Sequence, residues 1–167
     1  HMVDMTYYTG QNYMIAEIEA EAFSNFTSLA SVALPKRTYG VTIGDYAFNG
    51  CEKLTLADNL HYVYKVGEGA FKDTPLNNNS RSGEFNIGSS CSNMTEAAGE
   101  IGNYAFQNTS PKRVSIGDYI KTIGEYAFDG CSSMGVLVIG DNVNNIKRYA
   151  FSGCTGLTHI YLGKSLR

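Results

Sequence analysis

Apolar residues along this chain recur with a long period, not with the short periods of an isolated strand or helix. The segment Ile123-Gly-Glu-Tyr-Ala-Phe-Asp-Gly-Cys returns as Ile43-Gly-Asp-Tyr-Ala-Phe-Asn-Gly-Cys, Val66-Gly-Glu-Gly-Ala-Phe, Ile101-Gly-Asn-Tyr-Ala-Phe and Ile146-Lys-Arg-Tyr-Ala-Phe-Ser-Gly-Cys, with a worn copy beginning at Ile18. Aligned on their Ala-Phe pairs, the six copies place phenylalanines at 23, 48, 71, 106, 128 and 151, in steps of 25, 23, 35, 22 and 23 residues. A fixed period in the twenties is the mark of a solenoid. The 35-residue step equals one coil plus about a dozen residues. These fall in a polar, turn-rich stretch over 77–99, which reads as a surface loop.

Within one copy the apolar positions are Met134, Leu137, Ile139, Val143 and Ile146, closed by Ala150 and Phe151, and the next copy repeats them at Leu157, Ile160 and Leu162. One coil of this size cannot bury its own apolar face, so the coils must stack into a continuous column. The alternation in Leu137-x-Ile139 and Ile160-x-Leu162 has the period of a strand with one buried side. Stacked copies therefore predict short parallel strands on one face, with turns, short strands or short helical turns on the other. Glycine after isoleucine, as at Gly124, reads as a sharp turn, and Tyr-Ala-Phe as a short helical turn.

The pattern Cys-x-x-Leu-x-x-Ile-x-Leu followed by Ile-Gly-x-Tyr-Ala-Phe resembles the BspA-like, or Treponema pallidum type, leucine-rich repeat family. The resemblance covers about Ile18 to Leu162. It departs from the pattern in the 77–99 insertion, at Thr74 and Thr109 in the cysteine position, and in a two-residue excess in the first full repeat. It implies a non-enzymatic module of a surface or secreted protein, extracellular or at the cell surface, that serves adhesion or contact with a host or another cell. The repeats alone imply a binding scaffold.

The chain divides into His1-Met2, which reads as a cloning scar, a degenerate coil or cap over 3–17, and the repeat array over 18–167 with its insertion at 77–99. The end at Arg167, partway through a repeat with no polar cap, reads as a piece of a longer array or an abrupt last coil. A net charge of −3 leaves no basic footprint for nucleic acid. No apolar run is long enough to span a bilayer. The scattered carboxylates, with no phosphate loop, give no catalytic or cofactor site.

Cys51, Cys131 and Cys154 each lie three residues after the repeat phenylalanine, where Thr74 and Thr109 also stand. That equivalence reads as a buried ladder of small side chains. No C-x-x-C pair or nearby histidine supplies a zinc set, and His61 and His159 lie in different coils, so no thiol has a matched catalytic partner. Coils spaced by ~4.8 Å leave a Cys131–Cys154 bridge within reach. Cys91, inside the insertion, is expected to be the exposed thiol. Tyr46, Tyr104, Tyr126 and Tyr149, two residues before the phenylalanine, read as a packed stripe.

If strand residues alternate inward and outward, the outward set comprises Ser31 and Ala33, Glu84 and Asn86, Arg113 and Ser115, Val136 and Val138, then His159 and Tyr161. Glu84, Asn86, Arg113, Ser115, Val136, Val138, His159 and Tyr161 are the candidate partner-binding residues, for a protein or glycan ligand. The last four form an apolar and aromatic patch of the kind that anchors protein partners. The insertion is a second candidate. Self-association through open solenoid ends, as a spacer or stalk, is the alternative reading.

Overall fold

A computed structural model describes residues 16–78, 83–94 and 99–166. The cloning scar and most of the degenerate first coil therefore lie outside the described residues.

Twelve strands of two to four residues are described: β1 (Ala16–Ile18), β2 (Ser31–Ala33), β3 (Val41–Ile43), β4 (Leu56–Asp58), β5 (Val63–Val66), β6 (Glu84–Ile87), β7 (Gly99–Ile101), β8 (Arg113–Ile116), β9 (Ile120–Ile123), β10 (Val136–Ile139), β11 (Asn145–Ile146) and β12 (His159–Tyr161). One 3-10 turn, Leu60–Tyr62, is the helical element among the described residues. The odd strands through β11 form a six-stranded sheet in the order β1-β3-β5-β7-β9-β11, while β6-β8-β10-β12 and β2-β4 form two further sheets, all of them parallel. This is a parallel solenoid of about six turns, the architecture of a leucine-rich repeat.

The repeat phenylalanines run through its centre. Rings of Phe23, Phe48, Phe71, Phe106, Phe128 and Phe151 stack with centroids 5.0–5.3 Å apart and planes within 11° of parallel. The first five donate their backbone N–H to the alanine carbonyl of the next coil, from Phe23 on Ala47 at 2.9 Å to Phe128 on Ala150 at 2.7 Å. The column and the backbone rungs thus share one spacing, which is that of neighbouring strands.

The Tyr-Ala-Phe segment is a turn, not the helical turn expected. Its first residue is left-handed in every coil: Glu21, Tyr46, Gly69, Tyr104, Tyr126 and Tyr149 all have φ between 54° and 58°. That conformation costs about 1–2 kcal/mol for a residue with a Cβ. It turns the N–H along the solenoid axis, where Tyr46 reaches the Glu68 carbonyl at 2.7 Å and Tyr104 that of Glu125 at 2.9 Å. A rung of ~0.5–1.5 kcal/mol together with a ring stack of similar size offsets the strain. Two residues beyond the phenylalanine a second left-handed position carries Asn25, Gly50, Asp73, Asn108, Gly130 or Gly153, the residue types that tolerate it.

The glycine after isoleucine serves close approach, not turning. Gly124 has no left-handed φ, but a Cβ there would lie 2.5 Å from the carbonyl carbon of Gly102 in the preceding coil, and Gly44 and Gly67 are equally tight. Lys147 replaces this glycine in the last full coil. There the rung from Tyr126 to Arg148 stretches to 3.3 Å, and the Tyr126 and Tyr149 planes diverge by 24° against 2° for Tyr104 and Tyr126.

The insertion is not a plain surface loop. Phe85 follows Phe71 by 14 residues where Leu137 follows Phe128 by nine, and Ile101 follows Phe85 by 16 where Ile146 follows Leu137 by nine. Strand β6 therefore takes its normal place in the sheet, with Phe85 opposite Val114. The extra residues form one excursion before it and one after. The later excursion packs back on earlier coils: Ser90 N–H donates to the His61 carbonyl at 2.9 Å, and Asn93 N–H to that of Thr38 at 3.0 Å. The earlier one separates β4 from β6, whose backbones do not pair. Asn78, 6% exposed, fills the gap by accepting from Ala57 N–H at 2.9 Å and donating to the Ala57 carbonyl at 3.2 Å and to that of Glu84 at 3.4 Å.

Replacing Asn78 with alanine leaves both buried backbone groups of Ala57 unpartnered. Chemical denaturation is expected to show a loss of about 1–3 kcal/mol, and an unchanged midpoint would contradict the bridging role. Gly124→Val is expected to destabilise by about 3 kcal/mol, the upper range for overpacking, because its obstacle is backbone. Unchanged thermal unfolding would show that the close approach is wrong.

Candidate functional site

The eight candidate residues fall on one sheet in two rows. Glu84, Arg113, Val136 and His159 are successive partners across β6, β8, β10 and β12, and Asn86, Ser115, Val138 and Tyr161 form the second row. Ser31 and Ala33 do not join them; they lie on β2, in the separate two-stranded sheet. Sequence reasoning missed Leu56 and Asp58, the outward residues of β4 opposite Ser31 and Ala33. Counting from Cys51 as from Cys131 would have found them, but the inward residue between them is the small Ala57.

The two ends of these rows differ in chemistry. At the β6 end, Glu84 accepts from Arg113 Nε at 3.2 Å and from Ser115 Oγ at 2.9 Å, so its charge is matched within the sheet. At the β12 end, Val136 and Val138 are half-buried, and the exposed rings of His159 and Tyr161 lie parallel with centroids 6.5 Å apart. Thr158 Oγ1 lies 2.9 Å from His159 Nδ1. Ile160 and Leu162 continue the buried inward columns, yet they are 53% and 65% exposed because β12 is the last strand of its sheet. Apolar surface therefore runs from the sheet face onto its edge, where strand N–H and C=O groups also lie open.

The six-stranded sheet makes the contrast. Its outward row reads Glu17, Thr42, Lys65, Glu100, Thr122 and Asn145, all polar, with Lys65 paired to Glu100 at 3.2 Å. Of the two larger sheets, the β6–β12 sheet is the one whose paired outer rows end in valine and aromatic side chains.

The other sequence candidates are structural. Cys51, Cys131 and Cys154 each donate from Sγ to the phenylalanine carbonyl of the preceding coil, at 3.1, 3.3 and 3.2 Å. Thr74 and Thr109 donate to their own coil's phenylalanine at 2.8 Å, so the ladder is a row of buried weak donors. All four cysteines are free thiols. Cys91, expected to be exposed, is instead fully buried: the insertion folds it onto the first coils, with Sγ 3.3 Å from the Tyr62 carbonyl. Burial pushes its pKa up to about 11. The Cys154 thiol and burial push Cys131 up, and burial does the same for Cys51. Among the described residues no group of three or more His, Cys, Asp or Glu side chains is placed to hold a metal ion.

Tyr104, Tyr126 and Tyr149 do stack as a stripe, with centroids 5.2 and 5.0 Å apart. Tyr46 leaves the stripe, lying over Gly69 and donating its hydroxyl to Glu68.

Six copies of the BspA type leucine rich repeat region are matched, over residues 16–98 and 99–167. The chain belongs to this family. The chain shares its fold with a leucine-rich repeat protein of T. pallidum, at 18% identity and a TM-score of 0.51, covering 91% of this chain and 72% of that one. A leucine-rich repeat protein from Bacteroides ovatus (18% identity, TM-score 0.43) and a leucine rich cell surface protein from Faecalibacterium prausnitzii (19%, 0.36) are also similar. This chain spans 53% and 64% of their lengths, and they span 91% and 90% of it. The sequence matches none of the curated proteins. BspA-type family membership makes this a repeat module suited to binding, in a class that is generally non-enzymatic. Among the described residues no helix is long and apolar enough to cross a membrane.

Buried thiols should resist reagents. A small alkylating agent at pH 8 is expected to modify Cys154, the half-buried one, slowly and the other three only after unfolding. Rapid native labelling of Cys91 would contradict its burial. The unfolded chain ionises thiols near pH ~8.5, whereas folded Cys91 holds its proton to about 11. The stability tied to it is thus intact at neutral pH and is lost as pH rises between those values. A denaturation midpoint flat over that window would contradict this.

Proposed function

We propose that this chain is the recognition module of a surface or secreted adhesin, binding a protein partner through the apolar end of the β6–β12 sheet. The observation that carries this reading is the asymmetry between the two larger sheets: one outer row is wholly polar, whereas the other ends in Val136, Val138, His159 and Tyr161. Aromatic anchors beside aliphatic ones, ringed by polar groups such as Arg113 and Ser115, are the chemistry of an interface centre. A rigid sheet presents them with little ordering entropy. Membership of the BspA-type repeat family supports an extracellular or cell-surface setting as part of this reading.

A spacer that self-associates is the second reading. It is favoured by the exposed Ile160 and Leu162 beside β12, the outermost strand of its sheet among the described residues. A partner or second copy adding a parallel strand there would continue the column.

The test is a binding screen against immobilised extracellular-matrix and cell-surface proteins, run beside an Arg113, Val138, His159 and Tyr161 quadruple alanine variant. Loss of at least about 30-fold in affinity, the size of a central hot spot, is expected of the variant. Equal binding by both proteins would remove recognition from this sheet. No binding by either, with a mass that rises with concentration, would favour the spacer.

A further inference from the structure

A cleft of about 380 Å³ lies where β4 and β6 fail to pair. Its floor is Asn78, fully engaged with backbone, and its walls include Lys36, Asp58, Asn59, His61, Glu84 and Asn86. The volume falls in the range of small-molecule sites, ~300–1,000 Å³. Such sites are mostly apolar, and this one is not. Carboxamides, carboxylates, an ammonium and an imidazole line it, a surface that suits a polar ligand better than an apolar one.

The charges choose among polar ligands. Of the charged residues that line it, Lys36 is positive and Asp58 and Glu84 are negative, and Glu84 is already matched by Arg113 of the neighbouring strand, outside the lining, so little unmatched charge remains to attract an ion. His61 is held in its neutral form by burial and by the nearby Lys36, leaving one ring nitrogen to donate and one to accept. Its ring also packs against Tyr62, with centroids 4.4 Å apart. A ligand that donates and accepts at every edge, carries no charge and has a C–H face for a ring is a sugar. We propose that the cleft binds an uncharged mono- or disaccharide. The insertion contributes to it, because Asn78 and the β6 residues Glu84 and Asn86 all lie within 77–99. The site is separate from the protein-binding patch at β12 and stands without it.

The test is an NMR titration of the full chain with free glucose, galactose, N-acetylglucosamine and lactose, following the amide signals of Asn59, His61 and Asn86. Saturable shifts at these residues with a Kd of about a millimolar or tighter are expected for at least one sugar. Asn86→Ala and Lys36→Ala, both at exposed side chains, should each weaken that binding about tenfold or more, while Val138→Ala with Tyr161→Ala leaves it unchanged. The proposal is overturned if no sugar gives a saturable shift there, if the Asn86 and Lys36 variants bind as well as the parent, or if inorganic phosphate occupies the cleft more tightly than any sugar.

Discussion

Successive coils must approach to the spacing of neighbouring strands all the way around the turn, and most features of this molecule answer to that requirement. Where backbone meets backbone, as at Gly44, Gly67, Gly102 and Gly124, there is no room for a Cβ. Where side chains meet, the fit is flat: phenylalanine rings stack face to face at 5.0–5.3 Å. Beside them, in every coil after the first, stands a cysteine or a threonine, each donating to a phenylalanine carbonyl. The tyrosines accept a strained backbone because that strain aims their N–H groups along the axis. Where Lys147 replaces the glycine, the rung beside it lengthens.

This constraint separates structure from function. Residues shared between coils are committed to stacking, and the repeated cysteines serve there as donors to phenylalanine carbonyls. What differs between coils lies outward or in the insertion. The outer rows of the two larger sheets diverge in character, and the insertion opens the β4–β6 junction. Any binding specificity must reside in such differences.

The period, the inward column and both outward rows were legible in the sequence, because alternation fixes which side of a strand a residue faces once register is known. Tyr46, Tyr104 and Tyr126 were misread as helical, since nothing local distinguishes a left-handed tyrosine supported by the neighbouring coil from one in a helical turn. Cys91 was misplaced for a related reason: the groups that bury it, at His61 and Tyr62, are remote in sequence. The polar composition of the insertion reads as loop throughout, although the outward assignment of Glu84 and Asn86 already implies a strand that carries Phe85 and Ile87 inward. The cleft beside Asp58 was invisible, because it arises from a pairing between β4 and β6 that does not form.

If coil-to-coil stacking is the common support, the interior coils should open together. Native-state hydrogen exchange on the amides of Phe71, Phe106 and Phe128, each bonded to the next coil's alanine, tests this directly. The account predicts that all three exchange only through global unfolding, with one shared opening free energy that follows denaturant as the whole molecule does. Separate, lower opening energies at these amides would mean that each coil holds itself together, and would contradict it.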